Sequence, residues 1–247
     1  MDNLSTVINI NNTSILVDGC RELGIPLSNG QIGQFIRYYQ MLYERNQVMN
    51  LTAVIEWDDV QTKHYLDSLL LCRAVNLTKD LKILDLGTGA GFPGIPLKIA
   101  FPNLDVVLAD SLNKRILFLE EVIRELNLTG IHTVHARAED LGRNMKYRET
   151  FDLTVSRAVA NLSSLSEYCL PLVRTGGSFI SYKSAEIKEE LETARRAIRI
   201  LGGGEPDVVT LPLPCSQVDR SFVIIPKEKP CPVKYPRKAG IPKKDPL

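Results

Sequence analysis

Residues 81–94 read Leu-Lys-Ile-Leu-Asp85-Leu-Gly87-Thr-Gly89-Ala-Gly91-Phe92-Pro93-Gly94. An apolar strand here runs into a glycine-dense turn and then a helix. Without a Cβ, each glycine lets the turn tighten and lets backbone N–H groups lie against a bound molecule. The partial positive charge of the helix N-terminus adds to that. From this point the chain alternates. Strands are predicted at 81–86, 104–109, 131–135, 151–156, 177–182, 206–211 and 220–226, and helices at 94–100, 112–126, 162–170 and 184–200. Strands separated by helices of this size predict βαβ units and a parallel sheet. Only Pro212 to Asp219 separates the last two strands. That stretch is too short for a crossover helix, so the two should pair antiparallel at the end of the sheet.

The region before the turn reads differently. Residues 12–75 look helical. Ser28 precedes Ile32, Phe35, Ile36, Tyr39, Leu42 and Tyr43 at helical spacing. A second helix is expected over 58–74, with a polar loop around 46–52 between them. The expected organisation is a helical extension at 1–78, an α/β core at 79–227 and a tail at 228–247. Residues 227–247 carry seven Lys or Arg against two acids, leaving the rest of the chain mildly acidic although the total is only +1. A basic, proline-rich tail is expected to be extended or disordered. It fits a polyanion partner or a solvated tail equally well.

With 44% hydrophobic and 24% charged residues the chain has an ordinary globular composition. No apolar run approaches the ~20 residues of a membrane span. The N-terminus has no basic stretch leading into an apolar one, so no signal peptide is expected. Cys20, Cys72, Cys169, Cys215 and Cys231 are scattered and form no C-x-x-C pair. Neither a disulfide framework nor a metal site is expected, and a reducing cytoplasm is the simplest location.

Gly89-Ala-Gly91-Phe-Pro-Gly94 fits the dinucleotide pattern G-x-G-x-x-G, a weak match by itself. The P-loop is excluded because no Gly-Lys-Ser/Thr follows. Three features favour S-adenosylmethionine over a dinucleotide. Asp85 ends the first strand, where an acid would repel a pyrophosphate and suit an ammonium. Asp110 closes the second strand, where an acid binds ribose hydroxyls, a feature that fits either ligand. Only one nucleotide-binding half precedes the antiparallel pair.

The same residues resemble a known family. Asp85 to Gly94, Asp110-Ser-Leu-Asn-Lys114-Arg115, Ala136-Arg137-Ala138-Glu139 and Ser156-Arg157-Ala158-Val159-Ala160 occur in order. With Asn46-x-x-x-Asn50-Leu-Thr and His64-x-x-Asp67-Ser-Leu, they resemble the bacterial small-subunit ribosomal RNA guanine-N7 methyltransferase G family, also called glucose-inhibited division protein B. The resemblance runs from about residue 30 to residue 227 and does not extend to the basic tail. It implies a Rossmann-like class I methyltransferase sheet, mostly parallel with a C-terminal antiparallel hairpin, plus N-terminal helices. The implied cofactor is S-adenosylmethionine, held by Gly87, Gly89, Phe92, Asp110, Ala138, Glu139 and Arg157. Core packing for Phe92, a helix cap for Asp110 (with Ser111 capping in its place as the preferred reading), a solvated Glu139 and a structural salt bridge for Arg157 are the alternatives.

Lys114 and Arg115 sit in the first turn of a helix, where cations are unfavourable, which fits a role with RNA phosphate. A core or capping role is the commoner reading of His64, while the resemblance implies a position over the mouth of the site, with Asn50 nearby; Lys183 and Arg220 are candidates for holding the guanine or its phosphate. No catalytic side chain is expected. The chain lacks the Asp/Asn-Pro-Pro-aromatic of amino-group enzymes after the fourth strand. Pro214-Cys215 and Pro230-Cys231 lie too far along to serve as cytosine-C5 nucleophiles. Guanine N7 carries an in-plane lone pair and no proton, so positioning suffices. The expected partner is small-subunit rRNA or an assembling 30S subunit. A monomer is the simplest oligomeric state.

Overall fold

The computed structural model describes residues 12–157, 160–184 and 186–247. The expected helix over 184–200 and the Ser156–Ala160 motif each include residues outside that set, as does the N-terminal stretch read for a signal. A seven-stranded sheet has the order β3-β2-β1-β4-β5-β7-β6. Its strands are β1 (Lys82–Leu86), β2 (Asp105–Asp110), β3 (Ile131–His135), β4 (Phe151–Ser156), β5 (Val173–Ser184), β6 (Asp207–Pro212) and β7 (Asp219–Pro226). β1 to β5 pair parallel, and β7 is antiparallel to both β5 and β6. The expected hairpin is present, with β7 inserted between β5 and β6. The chain direction of β1 to β5 places all their carboxyl ends at one edge, and the order reverses between β1 and β4, where open α/β sheets bind ligands.

Helices α1 (Ser14–Leu23), α2 (Asn29–Met49), α3 (Trp57–Val60) and α4 (Asp67–Leu69) precede the sheet, with a π-helical turn at Gln61–Leu66 and a 3-10 turn at Leu70–Arg73. Ser28 caps α2 in a reciprocal capping box with Gln31. α5 (Gly94–Ala100), α6 (Asn113–Glu125), α7 (Ala138–Arg143), α8 (Leu162–Cys169), α9 (Lys188–Ile200) and α10 (Ile241–Lys244) follow.

One hydrophobic cluster runs from Leu16, Phe35 and Tyr65 through Ile95 and Leu108 to Ile180 and Phe222. The N-terminal helices therefore share a core with one face of the sheet. Specific bonds fix the contact: Gln31 Nε2 donates to the Ile99 carbonyl at 2.7 Å and Tyr38 Oη to the Ala90 carbonyl at 2.5 Å. A second cluster fills the other face beneath α8 and α9 and includes Cys231 and Tyr235. The tail is thus folded onto the sheet, contrary to the expectation of an extended or disordered segment. Its charges misled because its apolar residues and its backbone carbonyls were invisible to a count of lysines. The Arg148 guanidinium donates to the carbonyls of Cys231 and Tyr235, each at 2.8 Å.

Candidate functional site

The turn after β1 continues the ladder for two residues, with the N–H groups of Gly87 and Thr88 both donating to the Ala109 carbonyl. Gly87 then has φ 75°, a left-handed conformation that a Cβ disfavours. Asp85 lies beneath the turn with no exposed surface. Its Oδ2 accepts from Thr88 Oγ1 at 2.6 Å and from the Gly94 N–H at 2.8 Å, while Oδ1 has no partner among the described residues. Gly94 is required for this approach, because a Cβ there would lie 2.9 Å from Asp85 Oδ2 and 2.2 Å from Leu108 Cδ2. Asp85 thus shapes the turn from within and has no exposed surface through which to meet a ligand ammonium directly. Burial pushes its carboxyl up to about 7, against the lowering effect of Thr88, Gly94 and Arg157.

A cavity of about 710 Å³ opens at the carboxyl ends of β1 to β4. Gly87, Asp110, Arg115, Ala138 and Glu139, all singled out by sequence, line it together with Leu86, Ala109, Ser156 and Tyr168. Asp110 Oδ1 accepts from the Leu112 N–H at 2.9 Å, and Oδ2 accepts from the Gly89 N–H at 3.0 Å and Arg115 at 3.1 Å. Leu112 is the N-cap of α6 and neither Asp110 nor Ser111 makes a side-chain capping bond to that helix; Asp110 braces the turn before it and faces the cavity. Gly89 acts through its bond to Asp110 and is not part of the wall.

A second cavity of about 660 Å³ adjoins the first at Ala160. Arg157, Lys183, Arg220, Asp67 and Tyr182 line it. Asp67 is 3% exposed and pairs with Arg157 Nη2 at 3.1 Å and with Arg220. Arg157 also donates to Ser68 Oγ and to the Lys63 carbonyl, both at 3.1 Å. Lys183 Nζ donates to the Ala160 carbonyl and to Glu190.

Phe92 and His64 sit behind this junction as a stacked pair, ring centroids 4.3 Å apart. The Arg157 guanidinium lies over the Phe92 ring, 5.8 Å from its centroid. His64 Nε2 is 2.8 Å from Thr52 Oγ1, and Asn46 holds the Thr52 backbone at both its N–H and its carbonyl. Burial, helped by the Arg157 charge, pushes the His64 imidazole down to about 3. Phe92 thus packs in the core and lines neither cavity. Asn50 ends α2 in a left-handed conformation and is exposed, and Lys114 is exposed on α6; both lie outside the two cavities.

Sequence reading missed Asp67 as the hub of the second cavity, having noted it only as a neighbour of His64. It also missed Tyr168, Tyr182 and Lys243. Their convergence depends on how distant elements cross, and no local pattern carries it.

The first cavity fits S-adenosylmethionine: apolar surface from Leu86, Ala109 and Ala138 suits a base, and Asp110 and Glu139 offer acceptors for hydroxyls and amines. Among solved structures the chain is similar in fold to a mutant of MtNAS (TM-score 0.54, 16% identity, 90% of this chain and 83% of that one). It is also similar to Pyrococcus horikoshii TYW2 in complex with MeSAdo (TM-score 0.51, 13% identity, 66% and 61%). In sequence it is 50% identical over 234 residues to "Ribosomal RNA small subunit methyltransferase G" of Lachnoclostridium phytofermentans, covering 95% of this chain and 97% of the relative. The same-named protein of Alkaliphilus oremlandii is 50% identical over 233 residues, covering 94% and 98%. The model of the GidB family, rRNA small subunit methyltransferase G, matches residues 31–219, and the chain belongs to that family.

Proposed function

We propose that this protein transfers a methyl group from S-adenosylmethionine to N7 of a guanosine in small-subunit ribosomal RNA. The observation that carries the reading is the pair of adjoining cavities at one sheet edge, the first lined by Gly87, Asp110, Ala138 and Glu139 after the glycine turn and the second by Arg157, Lys183 and Arg220 with their partners Asp67 and Glu190. In the first, Asp110 and Glu139 offer acceptors to the hydroxyls and amines of the cofactor; in the second, three cations stand within reach of a nucleotide and its phosphates. Bound in the first cavity, S-adenosylmethionine supplies an electrophilic methyl group on a sulfonium.

In this reading Gly87 lets the backbone approach the cofactor, and Gly89 holds Asp110 toward the ribose. Ala138 and Glu139 read the adenine end. Phe92 braces the turn from behind. Lys183 and Arg220 orient the guanosine, with Lys114 and Asn50 as outer RNA contacts; Arg157, which the resemblance gives to the cofactor, lines the second cavity, and Arg115 lines the first beside Asp110. The N7 lone pair forms the new bond to carbon as the S–CH3 pair leaves with sulfur, and the positive charge passes to the purine. N7 loses no proton, so the reaction needs no general base. Orientation and exclusion of water carry it. His64, held neutral and stacked on Phe92, positions that wall. The reaction belongs in the cytoplasm, where subunits assemble, with the protein acting as a monomer. All five cysteines are unpaired thiols, as a reducing compartment keeps them.

The test is methylation of small-subunit rRNA and of assembling 30S subunits with methyl-labelled cofactor, followed by mapping of the modified atom. Label on guanine N7 is expected. Label on another atom, or none, overturns the assignment.

A further inference from the structure

The last residues of the chain, beyond the family match that ends at residue 219, form a strap against the first cavity. Its anchor is Arg237. The Arg237 backbone N–H and guanidinium both donate to Glu167, a fully buried carboxylate on α8, at 2.7 Å each. Downstream, Ser164 Oγ donates to the Pro242 carbonyl at 2.6 Å. Between these anchors Gly240, with φ 83°, aims its N–H at Glu139 Oε1, 2.8 Å away. Gly240 and Lys243 then line the cavity beside Glu139 and Tyr168.

Glu139 needs such a partner. It lies in the first turn of α7, is 7% exposed, and a carboxylate with several rotatable bonds has no fixed aim of its own. A backbone donor on one oxygen fixes the side chain and leaves the other oxygen for a ligand. We propose that the strap, residues 238–247, is a cofactor-positioning element of this protein: through the Gly240 N–H it sets Glu139, and through Lys243 it closes that end of the cavity. The inference rests on the cofactor reading above and goes beyond it in assigning a function to the basic tail.

The experiment is calorimetry with S-adenosylhomocysteine on four proteins: the full chain, the chain stopped after Arg237, Glu139→Ala, and the two changes combined. Stopping after Arg237 keeps the Arg237–Glu167 pair, and circular dichroism melts confirm folding. Loss of a charge-assisted bond to the ligand-facing carboxylate is expected to weaken binding about tenfold or more. The combined protein should bind more weakly than Glu139→Ala only by the share that Lys243 contributes, so that the two losses fall short of adding. Equal affinity of the full and stopped chains overturns the strap, as do losses that simply add. If the full chain itself fails to bind, the cofactor reading fails instead.

A second measurement needs no truncation. Lys238, Lys243 and Lys244 are exposed trypsin sites on the strap. S-adenosylhomocysteine should slow cleavage at these sites in the full chain while leaving cleavage at other exposed lysines unchanged. Identical cleavage rates with and without it overturn the proposal.

Discussion

Asp85 and His64 titrate in opposite senses, and their effects on stability cancel over a defined pH window. The buried Asp85 carboxyl is pushed from 3.8 up to about 7, and the proton belongs on Oδ1, the oxygen without a partner. Between pH 4 and 7 the native state therefore holds a proton that the unfolded chain has lost, and stability falls as pH rises. His64 is pushed from 6.5 down to about 3. Between those values the unfolded chain holds a proton that the native state lacks, and stability rises with pH. Each group contributes a slope of about 1.4 kcal/mol per pH unit, with opposite signs. Asp85→Asn keeps both accepted bonds on Oδ2 and places an amide where the neutral acid stood. It removes one slope and exposes the other. Urea unfolding at pH 4.5, 5.5 and 6.5 gives the stability of both proteins. Relative to the parent, the variant should gain roughly 2–3 kcal/mol across that range as pH rises. All other titrating groups are common to both and drop out of the difference. Parallel pH profiles for the two proteins would refute the assignment of a native-state proton to Asp85.

The His64 ring signals in a proton NMR titration should stay flat from pH 5 to 8; a midpoint near 6.5 would show a solvated imidazole. Gly94→Ala forces a Cβ against Leu108 and Asp85 and should cost roughly 1–3 kcal/mol, read as a lower urea midpoint, and an unchanged midpoint would mean the turn can open. Gly87→Asp adds a side chain and a charge at φ 75° in the cavity wall. It should abolish S-adenosylhomocysteine binding in calorimetry, and surviving heat would remove Gly87 from the cofactor site.

The sheet was legible because its pattern is local. Each strand from β1 to β4 is an apolar run bounded by turn residues, and β3 and β4 fall where periodicity placed them. The glycine turn was legible too, since a glycine run after a strand has few uses. Two things were not. α7 is only six residues long, too short to show a period against background, so Glu139 looked like a solvated acid. The tail looked loose because the partners that hold it come from three separate upstream segments: Glu139 from α7, Arg148 from the turn before β4 and Glu167 from α8. Long-range pairing of this kind leaves no mark at the position it stabilises.

Asp67 tests whether the second cavity is held as one unit. Its carboxylate takes one guanidinium from the segment after β4 and another from the start of β7, on a helical segment that belongs to neither. Arg157 in turn reaches back to the Lys63 carbonyl and over Phe92 in the glycine turn. One buried charge therefore fixes the N-terminal helices, the turn and the last strand against one another. Asp67→Asn keeps the shape but leaves only one acceptor oxygen for two cations. Since both arginines are partly exposed, the cost should be about 2 kcal/mol, less than for a fully buried pair, and the melting temperature should fall by roughly 4–8 °C. Asp67 lines the second cavity and not the first. The variant should accordingly raise the KM for RNA while leaving the Kd for S-adenosylhomocysteine within about twofold. A matching loss in cofactor affinity would mean that Arg157, released from Asp67, disturbs both cavities, and that the separation of cofactor from RNA at Ala160 is wrong.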